Sequence, residues 1–181
     1  MPPPRTLEVA ELRALIRSVP DFPRPGICFR DATPLFADPA ALRSAVDLLA
    51  ERVEPAGPVD VVVGAEARGF ILGPALAVRL GAGFVLARRE GRLPAATERE
   101  AYELEYGEAE LHVHTDAIAP GARVLVHDDL IATGGTAAAL GALAHRLGGE
   151  VVAYAFLIEL LALRGRDRLA APTQALIAFD D

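Results

Sequence analysis

Two adjacent carboxylates and a glycine-rich turn stand close together in the second half of the chain. Asp128 and Asp129 follow the apolar run 124–126, and Thr133-Gly134-Gly135-Thr136 comes shortly afterwards. Carboxylates at the end of a buried parallel strand can bind sugar hydroxyls or a metal, because ligands of open α/β sheets bind at that edge. A turn of threonine and glycine before a helix offers backbone N–H groups to a phosphate. The combination predicts a site for a phosphorylated sugar.

The order of these residues resembles the signature of the type I phosphoribosyltransferases, which bind phosphoribosyl pyrophosphate. The resemblance implies that Asp128 and Asp129 are catalytic and hold the ribose hydroxyls. It also implies that the 5′-phosphate is bound by Ala132, Thr133, Gly134, Gly135 and Thr136. The alternative is an ordinary strand–turn–helix with surface acids, in which the acid pair and the Gly-Gly turn coincide by chance. His127 departs from the family pattern, and we expect it in a half-buried strand with partners for its ring nitrogens.

Further segments resemble the members of this family that accept adenine, and the likeness runs from about residue 16 to residue 179. The matching stretches are 20–26, 29–31, 66–70, 88–94 and 104–107. The resemblance implies that Phe29 stacks on the adenine ring and that the backbone of Cys28 and Arg30 reads the base edge. Two plainer interpretations stay open: Phe29 is a core aromatic, and the Cys28 side chain is a small buried hydrophobe.

The resemblance also places the pyrophosphate of the substrate. It implies that the pyrophosphate loop consists of Glu66, Ala67, Arg68 and Gly69, and that positive charge is added by Arg88, Arg89 and Arg92. Guanidinium groups suit this task because they donate two hydrogen bonds at once and stay charged. The alternative is a solvated charged loop. Leu160 completes the set of residues that we expect to contact substrate.

The polar segment 88–110 is predicted to be a mobile lid, because a charged stretch of this length inside a compact domain is usually a functional lid or disordered. The resemblance makes Glu105 the acid/base group beside the purine, with Tyr106 as its neighbour. A surface carboxylate in a loop is the alternative. His112 and His114 alternate along a predicted strand, and a solvated face is favoured over a metal site because no third ligand clusters with them.

Composition limits the class of protein. The chain has 181 residues, of which 52% are hydrophobic, so we expect one domain over 1–181 with a substantial core. Its net charge of −7 argues against a nucleic-acid partner. The single cysteine excludes a disulfide within the chain. No signal peptide is evident at the N-terminus and the longest apolar stretch is too short to cross a bilayer, so we expect no membrane partner and a cytoplasmic location.

The elements that must position these residues alternate between strands and helices. Short apolar runs predict strands at 59–64, 83–87, 124–127, 151–159 and 174–179. Helical patterns lie between them, so the fold class is α/β with a doubly wound, mostly parallel sheet. Residues 1–35 are expected to form a small hood. Within the hood, Thr6 is predicted to cap a helix that carries Leu12, Leu15, Ile16 and Val19 on one face and ends at Pro20.

The resemblance implies a purine-salvage enzyme. The expected reaction is Mg²⁺-dependent transfer of the phosphoribosyl group to adenine, which yields AMP and pyrophosphate. Mg²⁺ would be carried by phosphoribosyl pyrophosphate, with at most water-mediated contact to Asp128 or Asp129, both of which we expect to be ionised near neutrality. Ala132 stands where enzymes for hypoxanthine and guanine have an aspartate. The alternatives are an enzyme for hypoxanthine, guanine or xanthine, and a non-catalytic sensor of phosphoribosyl pyrophosphate. The family resemblance also implies a homodimer.

Overall fold

A sheet of five parallel strands forms the centre of the protein. The structure, a computed structural model, describes residues 5–103 and 108–180. In chain order its elements are α1 (Val9–Ala14), β1 (Arg17–Val19), β2 (Phe29–Asp31), α2 (Thr33–Ala37), α3 (Pro39–Val53), β3 (Val61–Ala65), α4 (Gly69–Leu80), β4 (Gly83–Ala87), β5 (Thr97–Glu103), β6 (Glu108–His114), β7 (Arg123–Ile131), α5 (Gly135–Arg146), β8 (Glu150–Leu160) and β9 (Thr173–Phe179). The strand order of the central sheet is β4-β3-β7-β8-β9, and each neighbouring pair is parallel.

Helices cover both faces of this sheet, so the predicted doubly wound α/β class is confirmed. One face packs on α3, α4 and the N-terminal segment, with Leu49, Leu72 and Leu125 fully buried. The other face packs on α5 and on β6, around Val126 and Leu140. Because β7 is central and covered on both sides, every residue from Val124 to His127 is buried. The strand that carries the acid pair is therefore held rigidly from both faces.

Local signals fix where the long helices begin and end. Asp38 caps α3, and its Oδ1 accepts hydrogen bonds from the backbone of Ala40 and Ala41 at 2.9 and 2.8 Å. Helix α4 ends at Gly81, whose φ of 71° is left-handed. No helix within the described residues combines the length and the apolar character needed to cross a membrane.

The predicted N-terminal helix is too long. Helix α1 ends at Ala14 and is capped by Glu8 rather than Thr6, and Val19 lies in strand β1. Strand β1 pairs antiparallel with β2, where Val19 is the register partner of Phe29. This pairing with a distant strand overrides the helical spacing of the apolar residues. The result is a small hood built from α1, the β1–β2 hairpin and α2.

The polar lid segment also has more regular structure than predicted. Strands β5 and β6 form an antiparallel hairpin that pairs Thr97 with His114 and continues to its far end at Glu103 and Glu108. Its side chains hold it to the body of the protein, because Arg146 of α5 contacts Glu100 and the backbone carbonyl of Arg99. The described residues 97–103 and 108–114 are therefore a pair of strands that contacts α5.

Candidate active site

The predicted site residues gather at one edge of the central sheet. Strands β4, β3, β7 and β8 are parallel, so their carboxyl ends face the same way. The segments that follow these strands carry almost all of the predicted phosphate- and ribose-binding residues. In order across the sheet they are 88–92 after β4, 66–69 after β3, 128–136 along and after β7, and Leu160 at the end of β8.

The acid pair lies inside the last part of β7, not after its end as the sequence suggested. The pairing of β3 with β7 stops at His127, whereas the pairing with β8 continues through Ile131. One side of β7 is thus open from Asp128 onward. Asp129 is only 5% exposed, and its Oδ1 lies 3.3 Å from Nε of Arg68 without a hydrogen bond to any described residue. A buried carboxylate oxygen without a donor is a site ready for a ligand hydroxyl.

Burial changes the charge state of this pair. Burial, together with the negative charge of Asp129, raises the pKa of Asp128 to about 8. Burial also raises the pKa of Asp129 above its ordinary value, although the nearby Arg68 opposes the shift. The expectation that both carboxyls are ionised near neutrality is therefore wrong for the ligand-free protein. Two carboxyls this close share a proton until a cation or a donor arrives.

A small cavity of about 110 Å³ lies next to the acid pair. Its lining includes Arg68, Asp128 and the loop 132–136 that precedes α5. The helix begins after Gly134, which has no side chain to cap it and has a φ of 81°. Its first backbone N–H groups are therefore available to a ligand, and the helix dipole favours an anion there. This geometry is that of a phosphate-binding helix N-terminus.

A second cavity of about 230 Å³ is lined by the predicted pyrophosphate residues Glu66, Ala67, Arg88, Arg89 and Arg92. The carboxylate of Glu66 accepts hydrogen bonds from Arg88 Nε and from the backbone N–H of Arg89, both at 2.8 Å. Despite the opposing effect of burial, these hydrogen bonds lower the pKa of Glu66 below its ordinary value. The carboxylate therefore stays ionised and organises the arginines around the cavity.

The hood contributes an aromatic cavity of about 230 Å³ lined by Val19, Phe22, Phe29 and Asp31. Phe29 is half-buried, and its ring meets that of Phe22 edge to face at a centroid distance of 5.3 Å. The interpretation of Phe29 as a core residue is thus wrong. Cys28 is likewise half-buried rather than a buried hydrophobe.

A stack of side chains joins the hood to the end of the sheet. The guanidinium carbons of Arg13 and Arg30 each lie 4.1 Å from the ring centroid of Phe179. Phe179 is the register partner of Leu160 in the β8–β9 pair. The hood, which carries the predicted base-reading residues, is therefore fixed over the carboxyl ends of β8 and β9. Sequence reasoning missed Phe22 and Phe179; Phe22 lies in a matching stretch, and nothing local marks Phe179.

Two histidines differ from their predicted surroundings. His127 is fully buried rather than half-buried, and its Nδ1 lies 2.9 Å from the carbonyl oxygen of Ala155. Its Nε2 has no hydrogen-bond partner within the described residues, and burial lowers the pKa of His127 to about 4. His112 is buried too, not solvated, because Glu110 and Thr97 satisfy its two ring nitrogens at 2.9 and 3.1 Å.

Two predicted residues cannot be placed. Glu105 and Tyr106 lie outside the described residues, so their predicted roles at the purine stay predictions. The ends of the hairpin that flank them, Glu103 and Glu108, are register partners. Among the described residues, no group of three or more His, Cys, Asp or Glu side chains is arranged to hold a metal ion.

Residues 31–171 match the family described as "Phosphoribosyl transferase domain". The adenine phosphoribosyltransferase of Sorangium cellulosum is 56% identical over 174 residues, which cover 93% of this chain and 86% of that protein. The family match contains the acid pair, the phosphate loop and the pyrophosphate residues, and it begins at the last residue of β2.

Solved structures share the fold over almost the whole chain. The adenine phosphoribosyltransferase of Thermoanaerobacter pseudethanolicus has a TM-score of 0.90 and 45% identity, and the match covers 94% of this chain and 99% of that chain. The enzyme of Saccharomyces cerevisiae, complexed with D-DIAB and adenine, has a TM-score of 0.90 and 40% identity over 93% of this chain and 97% of that chain. The similarity therefore extends beyond the family match and into the hood.

Proposed function

The chain belongs to the phosphoribosyl transferase family, and we propose that it transfers the phosphoribosyl group of phosphoribosyl pyrophosphate to adenine in purine salvage. The products are AMP and pyrophosphate. The observation that carries the proposal is the acid pair of β7, with Asp128 half-buried and Asp129 buried, beside the uncapped N-terminus of α5. Its relatives of known structure and high identity are adenine phosphoribosyltransferases, which supports adenine as the acceptor.

The 5′-phosphate binds in the small cavity at the start of α5. The backbone N–H groups that follow Gly134 donate to its oxygens, and the hydroxyls of Thr133 and Thr136 lie in the same lining. Backbone donors at a helix N-terminus bind a doubly charged phosphate without a lysine, which this chain lacks entirely. Binding there fixes the ribose above the acid pair.

The ribose hydroxyls donate hydrogen bonds to Asp128 and Asp129. The uncommitted Oδ1 of Asp129 accepts one of them. As the bond from the anomeric carbon to pyrophosphate breaks, the ribose becomes oxocarbenium-like, and an ionised acid pair favours that positive charge. Because the pKa of Asp128 is raised in the ligand-free protein, substrate binding releases its proton.

Pyrophosphate leaves toward the arginine cavity after β3 and β4. Arg89 and Arg92 line this cavity and face the developing charge, Arg68 lies in the lining of the phosphate cavity, and Glu66 holds Arg88 in place. Mg²⁺ would arrive with the substrate and contact Asp128 or Asp129 through water, because no group of three or more acidic, histidine or cysteine side chains among the described residues is arranged to hold it directly. Bound Mg²⁺ would neutralise pyrophosphate charge and make it a better leaving group.

Adenine enters between the hood and the ribose. Phe29 stacks on the purine, the backbone of Cys28 and Arg30 reads its edge, and Leu160 packs beside it. N9 of adenine then attacks the anomeric carbon from the face opposite to pyrophosphate, and the N9 proton is lost. Glu105, with Tyr106 beside it, acts as the acid/base group on the N7/N9 side. Closure of the β5–β6 hairpin excludes water, which would otherwise compete as nucleophile.

The decisive experiment is a panel of bases with the purified protein. Phosphoribosyl pyrophosphate and Mg²⁺ are supplied with adenine, hypoxanthine, guanine or xanthine, and pyrophosphate release is followed. We expect rapid release with adenine and little with the others, because Ala132 offers no carboxylate to a 6-oxopurine. If hypoxanthine, guanine or xanthine turned over faster than adenine, the assignment of adenine as the acceptor would be wrong. Binding of phosphoribosyl pyrophosphate without turnover of any base would indicate a sensor.

We further propose a cytoplasmic homodimer. Charged phosphorylated substrates do not cross membranes, so the enzyme works where they are made. Ile71 and Val78 on α4 are 43% and 82% exposed, and Leu86 on the adjoining edge strand β4 is 43% exposed. A second copy of the chain would cover this apolar face. Light scattering should give twice the chain mass for the wild type and a lower mass for Val78→Glu; a wild-type monomer would contradict the dimer.

A further inference from the structure

An ion pair between the buried Glu159 and Arg166, whose side chain is 43% exposed, lies behind the phosphate loop and has no part in the proposed chemistry. Glu159, near the end of β8, is only 4% exposed. Both of its carboxylate oxygens contact the guanidinium of Arg166, through Nε and Nη2. The remaining terminal nitrogen, Nη1, donates to the carbonyl oxygen of Thr173 at 2.6 Å. Such a two-point contact fixes the orientation of the guanidinium as well as its position.

Arg166 belongs to the segment 161–168, which consists of two short 3₁₀ turns. Apart from Gly165, all residues of this segment are exposed. Its leucines, Leu161 and Leu163, are 42% and 43% exposed, so apolar packing contributes little to holding it. The contacts of Arg166 with Glu159 and Thr173 thus anchor the segment through a side chain.

The one buried residue of the segment touches the phosphate loop directly. A Cβ on Gly165 would lie 2.4 Å from the carbonyl oxygen of Ala132. A Cβ on Gly134 would lie 2.3 Å from the carbonyl oxygen of Gly165. Two stretches of backbone therefore press against each other, and neither can accept a side chain without moving the other. The back of the phosphate loop rests on the segment that Arg166 anchors.

The connection continues to the acid pair through the sheet. Glu159 is the register partner of Ile131, which lies two residues after Asp129 in β7. The ion pair thus sits between the strand end that carries the acids and the segment that supports the loop. A substitution at Arg166 would therefore shift Gly165 and, with it, the phosphate-binding N–H groups, although Arg166 itself does not line the phosphate cavity.

We propose that Glu159 and Arg166 are positioning residues for the 5′-phosphate. Their ion pair holds Gly165 against the loop and so fixes the backbone N–H groups at the start of α5. This inference rests on the proposed function, because it assigns the support of the same phosphate site. Loss of the pair lets the loop move, and an error of about 1 Å in such a site can cost up to 10²-fold.

The test compares Arg166→Met and Gly165→Ala with a matched control. Arg166→Met keeps the length of the side chain and removes its charge, and Gly165→Ala displaces the loop directly. The control is Asp167→Asn, which breaks the exposed ion pair of Arg164 and Asp167 (2.6 Å) in the same segment. KM for phosphoribosyl pyrophosphate, KM for adenine, kcat and Tm are measured for each protein, and the dissociation constant of phosphoribosyl pyrophosphate is measured by calorimetry.

We expect both variants to raise KM and Kd for phosphoribosyl pyrophosphate by about 10- to 100-fold, with kcat at saturation within about twofold. The control should match the wild type. A lower Tm with unchanged KM and Kd would overturn the inference and leave the pair a purely structural contact. If Arg166→Met does not fold, Arg166→Lys and Gly165→Ala decide the question in the same way. A wild type that neither binds phosphoribosyl pyrophosphate nor forms AMP would instead overturn the proposed function.

Discussion

The phosphate loop and the pyrophosphate loop follow neighbouring strands of one sheet, but one presents backbone groups to the site and the other presents side chains. The phosphate loop, 132–136, presents backbone N–H groups and rests on the backbone of Gly165. The pyrophosphate loop, 66–69, presents side chains, and the carboxylate of Glu66 holds Arg88 and the backbone of Arg89. One subsite is shaped by close packing and the other by a network of charges.

The difference matches what each subsite is proposed to bind. The 5′-phosphate stays on the ribose throughout the reaction, so a rigid cradle loses nothing. Pyrophosphate must gain charge in the transition state and then leave, which suits arginine side chains that stay charged and are reached by solvent. Arg68 joins the two: it belongs to the pyrophosphate loop, its side chain is 49% exposed, and its Nε lies 3.3 Å from Asp129 Oδ1. Substitutions in the phosphate loop and acid pair should therefore affect kinetics differently from substitutions in the pyrophosphate loop.

The largest effect is expected at the acid pair. Asp128→Asn and Asp129→Asn keep the size of each side chain but remove the charge that favours an oxocarbenium-like ribose. We expect each to lower kcat/KM for phosphoribosyl pyrophosphate by roughly 10²–10³-fold. Steady-state kinetics with adenine as acceptor measure the loss. Near-normal kinetics in both variants would show that the acids are not part of the site.

Asp128→Asn should also stabilise the ligand-free protein. The folded pKa of Asp128 is raised from 3.8 to about 8, so its effect on stability is neutral below pH 3.8 and unfavourable as the pH rises toward 8. Asp128→Asn removes that cost. At pH 8 we expect Tm to rise by at least about 2–4 °C, which corresponds to about 1 kcal/mol for a chain of this size. The gain should shrink toward pH 4; a gain independent of pH would contradict the assigned cause.

A smaller effect is expected on the pyrophosphate side. Glu66→Gln weakens two hydrogen bonds and releases Arg88, but the arginines remain. We expect kcat/KM for phosphoribosyl pyrophosphate to fall by roughly 10-fold, about 1.4 kcal/mol, with greater sensitivity to salt than in the wild type. Glu90→Gln is the matched control, because Glu90 is exposed in the same segment. If Glu66→Gln and Glu90→Gln lowered kcat/KM equally, the net charge of the segment, and not the contacts of Glu66, would set the effect.

The contrast between the loops also explains what the sequence could predict. The phosphate loop lies within one short stretch with the acid pair, so residue types and spacing alone marked it. The arginines of the pyrophosphate side were found by resemblance, but their arrangement around Glu66 follows from the neighbouring positions of β3 and β4. Alternating strands and helices were sufficient for the parallel sheet, since each strand is a local apolar run.

Contacts between distant parts of the chain were not predictable. Val19 carries a helical spacing but pairs with Phe29, and no local pattern reports that partner. Gly165 presses on Gly134 only because the turns after β8 fold back over the loop. His127 was expected in a half-buried strand with partners for its ring nitrogens, yet β7 lies at the centre of a sheet covered on both sides, and His127 is fully buried.

The smallest effect on activity is expected at His127, which is fully buried in β7 and lines neither the phosphate cavity nor the pyrophosphate cavity. His127→Gln keeps a donor for the Ala155 carbonyl and should leave kcat/KM within about twofold. Its effect should appear in stability. The folded pKa is lowered from 6.5 to about 4, so both states are neutral above pH 6.5 and the unfolded state gains the proton first as the pH falls.

The wild type should therefore lose about 1.4 kcal/mol of unfolding free energy per pH unit below pH 6.5, relative to the variant. At pH 5 the difference should reach about 2 kcal/mol, measured by urea denaturation from pH 7.5 to 5. His145→Gln on the exposed face of α5 should run parallel to the wild type. If the unfolding free energy of His127→Gln followed that of the wild type at every pH, the buried imidazole would have a partner for its proton. A large loss of kcat/KM in His127→Gln would instead show that the packing around His127 in β7 sets the geometry of the site.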